Sequence, residues 1–276
     1  MSSGAASSVG QSIRFANRTI GLAGLGVMAV LVALTSAIAP APPDATGAAQ
    51  SLLPPSRDLA FGSDALGRDV LSETLHGLAM TAKQAVLAAA LAIVLGALGG
   101  FFAARLPWHV GRVLRWVARV LNSVPPLLLV LLLIGISSRS LAALAAGLAI
   151  APAAFARSHD RALLLATSRH AEFARATGVS WTTLARRDLV YEIRNAFLSV
   201  AARALAAAAI LLATVSFLGF DTIPPHRDLG LMIGAAFAGA RATHDFHAWW
   251  TALFPALALV LLIFFARLAA APEEEP

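Results

Sequence analysis

The chain has no cysteine, a single lysine (Lys83), a single tyrosine (Tyr191) and few charges of either sign. The missing cysteines exclude disulfides and thiolate metal sites. Charged residues make up only 13% of the sequence, where soluble domains usually carry ~25%. No Gly-x-x-x-x-Gly-Lys-Ser/Thr loop is present, so ATP hydrolysis by that route is excluded. Neither a His-Glu-x-x-His motif nor zinc-finger spacing occurs, and there is no internal repeat or heptad pattern.

Apolar residues fill the space left by the missing charge. Hydrophobic residues make up 58% of the 276 positions, and the mean hydropathy is +0.76. This composition predicts an all-α polytopic membrane protein, because lipid offers backbone N–H and C=O groups no partners except those of a helix or a closed barrel. Six spans are predicted at about Ile20–Ala39, Thr81–Ala104, Val117–Ile136, Leu141–Ala156, Phe197–Gly219 and Trp249–Leu268. The first run is long enough to be a retained signal anchor, although Ala37-Ile38-Ala39 resembles a cleavage site.

A sequence pI near 11.3 would suggest nucleic acid in a soluble chain. Here the arginines stand between apolar runs, so the positive-inside rule applies and no nucleic-acid partner is expected. Arg14 and Arg18, then Arg105 to Arg119, then Arg157 to Arg194 all fall on one side of an alternating six-span chain. Both termini are accordingly expected in the cytoplasm. The resulting divisions are a cytoplasmic segment 1–19, a first span 20–39, a periplasmic segment 40–80, a transmembrane domain 81–268 and a cytoplasmic tail 269–276. Within that domain lie an inner loop, 157–196, and a second outer segment, 220–248.

The inner loop holds Glu172-Phe173-Ala174 and then Gly178, which reads as a helix, a glycine cap and a second short helix. Such a hairpin suits docking on a partner or lying on anionic headgroups, and local composition does not separate the two. The residues from Glu172 to Gly178 resemble the "EAA" coupling loop of ABC importer permeases, with Phe173 in place of the middle alanine and no proline in Asp188–Tyr191. The run Phe61 to Ser72, containing Asp64, Gly67, Arg68 and Asp69, resembles the "LGTDxLGRDVLSR" signature of the dipeptide/oligopeptide/nickel class. By its own physics, Asp64 would cap the following helix and Arg68 would pair with Asp69. Ser216 to Phe220 with Pro224-Pro225, and Trp250 to Leu257, resemble two further stretches of that class, although its usual C-terminal tail is missing.

The resemblance implies an inner-membrane, multi-pass permease with no enzymatic activity and no cofactor of its own. Its implied partners are a homologous second permease subunit, two ATPase subunits docked on the Glu172 loop, a periplasmic substrate-binding protein and membrane lipid. The implied cargo is a peptide, nickel or a metal chelate. Arg203 lies deep in the fifth span, where a charge is costly, and is expected to face a pore, a partner helix or a counter-charge. His226, His244 and His247 share the last outer segment without the spacing of a metal site, and none is expected there. The alternatives are a structural or uncoupled subunit, and a stand-alone secondary transporter, for which the expected repeats and buried charges are lacking.

Overall fold

The structure is a computed structural model that describes residues 2–42, 45–47, 49–136, 141–166, 190–220, 227–243 and 247–270. Among these residues the regular structure is helical, and the only strand-like pairing is an isolated bridge between Ser63 and Asp69. The helices are α1 (Ser2–Ala33), α2 (Thr35–Ile38), α3 (Val70–Leu91), α4 (Gly99–Ala103), α5 (Trp108–Ser123), α6 (Pro126–Ile136), α7 (Ala142–Ala166), α8 (Val190–Phe217), α9 (Leu229–Thr243) and α10 (Trp250–Ala269). A π-helical stretch, Ala92–Leu98, joins α3 to α4 without interrupting the rod.

Four helical stretches are long and apolar enough to cross a bilayer: Ala16–Ala33, Val70–Ala103, Phe197–Phe217 and Trp250–Ala269. The Val70–Ala103 rod is about 50 Å long, against ~30 Å of hydrocarbon, so it projects beyond the apolar layer. The predicted third span, Val117–Ile136, is not one helix. It breaks at Val124-Pro125, where α5 and α6 meet at 87°. Val124 is extended (φ −79°, ψ 129°) because the ring of Pro125 disfavours helical geometry in the residue before it. A broken pair of this kind counts as at most a fifth span. The predicted fourth span continues ten residues past Ala156 as α7, with Pro152 accommodated inside the helix. The predicted outer segment 220–248 contains α9.

The centre of the bundle is built by α3, α7 and α8, whose contact surfaces are rich in small residues. Ala85, Ala88, Ala146, Ala149, Ala204 and Ala208 are all buried there. Lipid tails are as apolar as leucine, so helices in a membrane associate through close van der Waals contact, and small side chains permit it. Gly96 and Gly100 lie directly against the backbone of α7 at Ala151 and Phe155. On the periphery, Gly21 of α1 lies against the backbone of α10 at Ala269, and Gly24 lies against the Phe265 ring.

Candidate functional site

The Phe61–Ser72 stretch folds into a tight loop at the start of α3. Gly62 (φ +75°) and Gly67 (φ +69°) take left-handed conformations that side-chain-bearing residues adopt only at a cost. Between them Asp64 turns the chain, its Oδ1 accepting from Leu66 N at 2.8 Å and Arg68 N at 2.9 Å. The N-cap of α3 is therefore Asp69 and not Asp64. Its carboxylate accepts from Ser72 N at 2.9 Å and from Ser72 Oγ at 2.6 Å. Arg68 reaches past Asp69 to Glu73, 3.6 Å away, because Asp69 is occupied by the cap.

Three links tie this loop to the distant C-terminal third of the chain. Arg227 Nη1 lies 3.2 Å from Asp64 Oδ2 and 3.3 Å from Glu73 Oε2, so one nitrogen bridges two carboxylates. Trp250 Nε1 donates to Ser63 O at 3.1 Å. The Phe61 ring stacks on Phe254 with centroids 3.9 Å apart. Ser63 is fully buried, with its hydroxyl donating to Gln50 O and accepting from Leu53 N, which also fastens the 50–53 segment. Arg68, Arg227, Asp64 and Glu73 balance in formal charge, so the cluster does not leave a lone buried charge.

Beside this cluster, Asp228 is buried and caps α9. Its Oδ1 accepts from Leu231 N at 2.8 Å, and Ser216 Oγ at the end of α8 donates to its Oδ2 at 2.5 Å. Leu229 N donates to Thr81 Oγ1 of α3 at 3.1 Å. Together these bonds join α3, α8 and α9 at one end of the bundle. A cavity of about 330 Å³ opens there, lined by Asp64, Glu73, Arg227, His247, Met232 and Trp250 among others.

Two measurements test these contacts. Arg227→Ala leaves the nearly inaccessible Glu73 with only Arg68 at 3.6 Å and should cost about 2 kcal/mol, between the values for exposed and buried pairs. Arg227→Lys should retain much of that, since a single nitrogen makes both contacts. Both are read from thermal unfolding in detergent. Burial pushes the Asp228 carboxyl above its ordinary range, against the hydrogen bonds from Ser216, Leu231 and Gly230 that favour the charged form. The folded state thus holds this proton more tightly than the unfolded chain. Its contribution is present in full below the unfolded pKa and is lost as pH rises through the folded value. Asp228→Asn keeps an acceptor for the cap and should flatten the fall in stability that sets in as pH rises above the ordinary carboxylate range, where the raised carboxyl titrates.

The other end of the bundle is rich in arginine. Arg203 is half-buried on α8 and lines a cavity of about 370 Å³ together with Asn122, Arg157, Ile210 and Arg267. Nearby, His159 of α7 is buried, stacks on Phe155 and lies close to Gly111 of α5. Its neighbour Asp160 pairs with Arg115 of α5 at 3.0 Å. Sequence reasoning missed this α5–α7 junction; the alternation of Arg112, Arg115 and Arg119 along α5 was the available signal. Glu172, Phe173, Ala174 and Gly178 lie outside the described residues, as do His226 and His244. Among the described residues no three His, Asp or Glu side chains are grouped to hold a metal ion.

Apolar helices that pack through alanine and glycine, with polar clusters at either end, define a multi-pass helical membrane protein. The chain belongs to the family of binding-protein-dependent transport system inner membrane components, which residues 92–271 match. It is 28% identical over 244 residues to a peptide transport system permease protein of Brucella suis biovar 1, covering 85% of this chain and 79% of that one. It is 31% identical over 225 residues to the oligopeptide transport system permease protein OppC of Mycobacterium bovis, covering 79% and 74%. It is also 28% identical over 265 residues to the peptide transport system permease protein SapC of Escherichia coli O6:H1, covering 92% and 86%.

Proposed function

We propose that this chain is the permease subunit of an ATP-driven peptide importer of the bacterial inner membrane, forming one half of the translocation pore. The observation that carries this reading is the family match from residue 92 to 271, which includes the whole 157–196 inner segment. Peptide is favoured over nickel or metal chelates because the relatives described above carry peptide names. In this reading the chain crosses the membrane six times with both termini inside, an arrangement supported by the arginines, which fall on one side of six alternating spans.

The proposed mechanism is alternating access driven from outside the chain. Two ATPase subunits dock on the Glu172 loop, a homologous permease completes the pore, and a substrate-binding protein delivers cargo at the Asp64–Arg227 end. The helices α7 and α8 lead into and out of the segment that holds Glu172, so displacement there is passed directly to the bundle core. At the opposite end, the bonds among α3, α8 and α9 make a rigid platform against which a binding protein can press.

The test is co-purification. The tagged chain is drawn from detergent-solubilised membranes, and whatever accompanies it is identified by mass spectrometry. Recovery of a homologous permease and a phosphate-loop ATPase supports the proposal. Recovery of the chain alone, under conditions that hold a known importer together, refutes it.

A further inference from the structure

Helix α5 is unlike the other long helices of the bundle. It carries three arginines at positions 112, 115 and 119 and no acidic residue. Those arginines fall at i, i+3 and i+7, along one arc. Val113, Val117 and Val120 fall on another arc, and all three are exposed. Gly111 and Ala118 are its buried positions, so the chain itself covers only a narrow strip of the helix. Trp108 and Trp116 are 69% and 64% exposed, and neither is packed into the core.

The placement of α5 fits this pattern. It meets α6 at 87°, while α6 packs along α7. Gly111 lies near Ala103, the last residue of α4, and near His159, and Arg115 pairs with Asp160. Thus α5 runs nearly perpendicular to α6 and lies against the end of α4, just before Arg105, and the end of α7 that carries Arg157 and Arg161. A helix lying in the interfacial plane, with arginine on one arc, valine on another and tryptophan exposed, has the geometry of a membrane-surface helix. Tryptophan is most at home at headgroup level. Arg112 sits over the Trp108 ring at 4.1 Å, which holds the cation at that level.

We infer that α5 is a lipid-binding surface helix whose Arg112 and Arg119 take the phosphates of anionic phospholipids, while Val113, Val117 and Val120 enter the acyl boundary. Charge complementarity selects this occupant, since anionic headgroups supply the negative charge that α5 lacks. Arg115 serves a different purpose, because its pairing with Asp160 fastens the helix to α7. Lipid held on α5 is thereby linked to the helix that leads toward the Glu172 segment. The inference needs only residence in a membrane and stands apart from the transported substrate.

The absence of native cysteine makes the test direct. Val117→Cys is labelled with bimane, and the chain, with whatever subunits accompany it, is placed in phosphatidylcholine vesicles. These contain either brominated phosphatidylglycerol or brominated phosphatidylcholine. Brominated phosphatidylglycerol should quench the label several-fold more strongly. Arg112→Gln with Arg119→Gln should erase that preference, at about fivefold for each arginine that holds a headgroup, yet leave quenching by brominated phosphatidylcholine intact. Arg112→Lys with Arg119→Lys should keep the preference, which separates lost charge from lost folding. Equal quenching by both lipids in the parent protein would overturn the proposal. Quenching by neither would also overturn it and would show that a protein partner covers α5.

Discussion

Glu172→Lys should reduce peptide uptake to background while leaving the amount of inserted protein and its melting behaviour unchanged. Under the proposed function, Glu172 lies where an ATPase subunit grips the permease, and a reversed charge there breaks the mechanical link without touching the bundle. Docking energy resides in a few anchor contacts, so a single reversal in such a contact costs several kcal/mol. The readout is uptake of a labelled peptide in cells, alongside recovery of the ATPase with the tagged variant. Wild-type uptake by Glu172→Lys would remove the coupling role and leave the uncoupled-subunit reading in its place.

Gly62→Ala should be the most damaging small substitution in the loop before α3. Gly62 has a left-handed conformation (φ +75°), and a Cβ there would run into Leu53 O and the indole nitrogen of Trp250. The backbone penalty alone is about 1 kcal/mol, and displacing the indole adds the loss of its hydrogen bond to Ser63 O. A total of about 2–4 kcal/mol is expected, visible as a lower melting temperature in detergent. Trp250→Phe supplies the companion measurement, since it removes the donor but keeps an aromatic ring. It should cost less, about 1–2 kcal/mol, the price of leaving a buried carbonyl unsatisfied. If Gly62→Ala melts like the parent, the loop is not held by α10 as described.

Much of the architecture is legible along the chain because the membrane imposes local rules. Apolar length marks spans at about 81–104, 197–219 and 249–268, since every backbone group there is satisfied within its own helix, although the helix of the first of these begins earlier, at Val70. The sequence alone put the cap of α3 at Asp64, and the structure puts it at Asp69. The Asp64 carboxylate is already engaged by Leu66 N and Arg68 N, a pairing that only the folded loop shows. The break at Val124 was also written in the sequence, as Val124-Pro125-Pro126. A continuous apolar run concealed it, because hydropathy responds to transfer energy and takes no account of backbone angles.

Pairings between distant residues lie beyond any such rule. Arg227 and Asp64 are separated by 163 positions, and Trp250 and Ser63 by 187. Nothing local to either partner specifies the other. Residence in the membrane, the helical class and the resemblance to importer permeases were determined by the sequence alone, because each depends on composition or on contiguous residues. The arginine bridging two carboxylates, the shared Ser216–Asp228 cap and the lie of α5 against α4 and α7 were decided only by tertiary structure. Those features depend on which helix ends meet, and that is set by packing of alanine and glycine faces summed over the whole bundle.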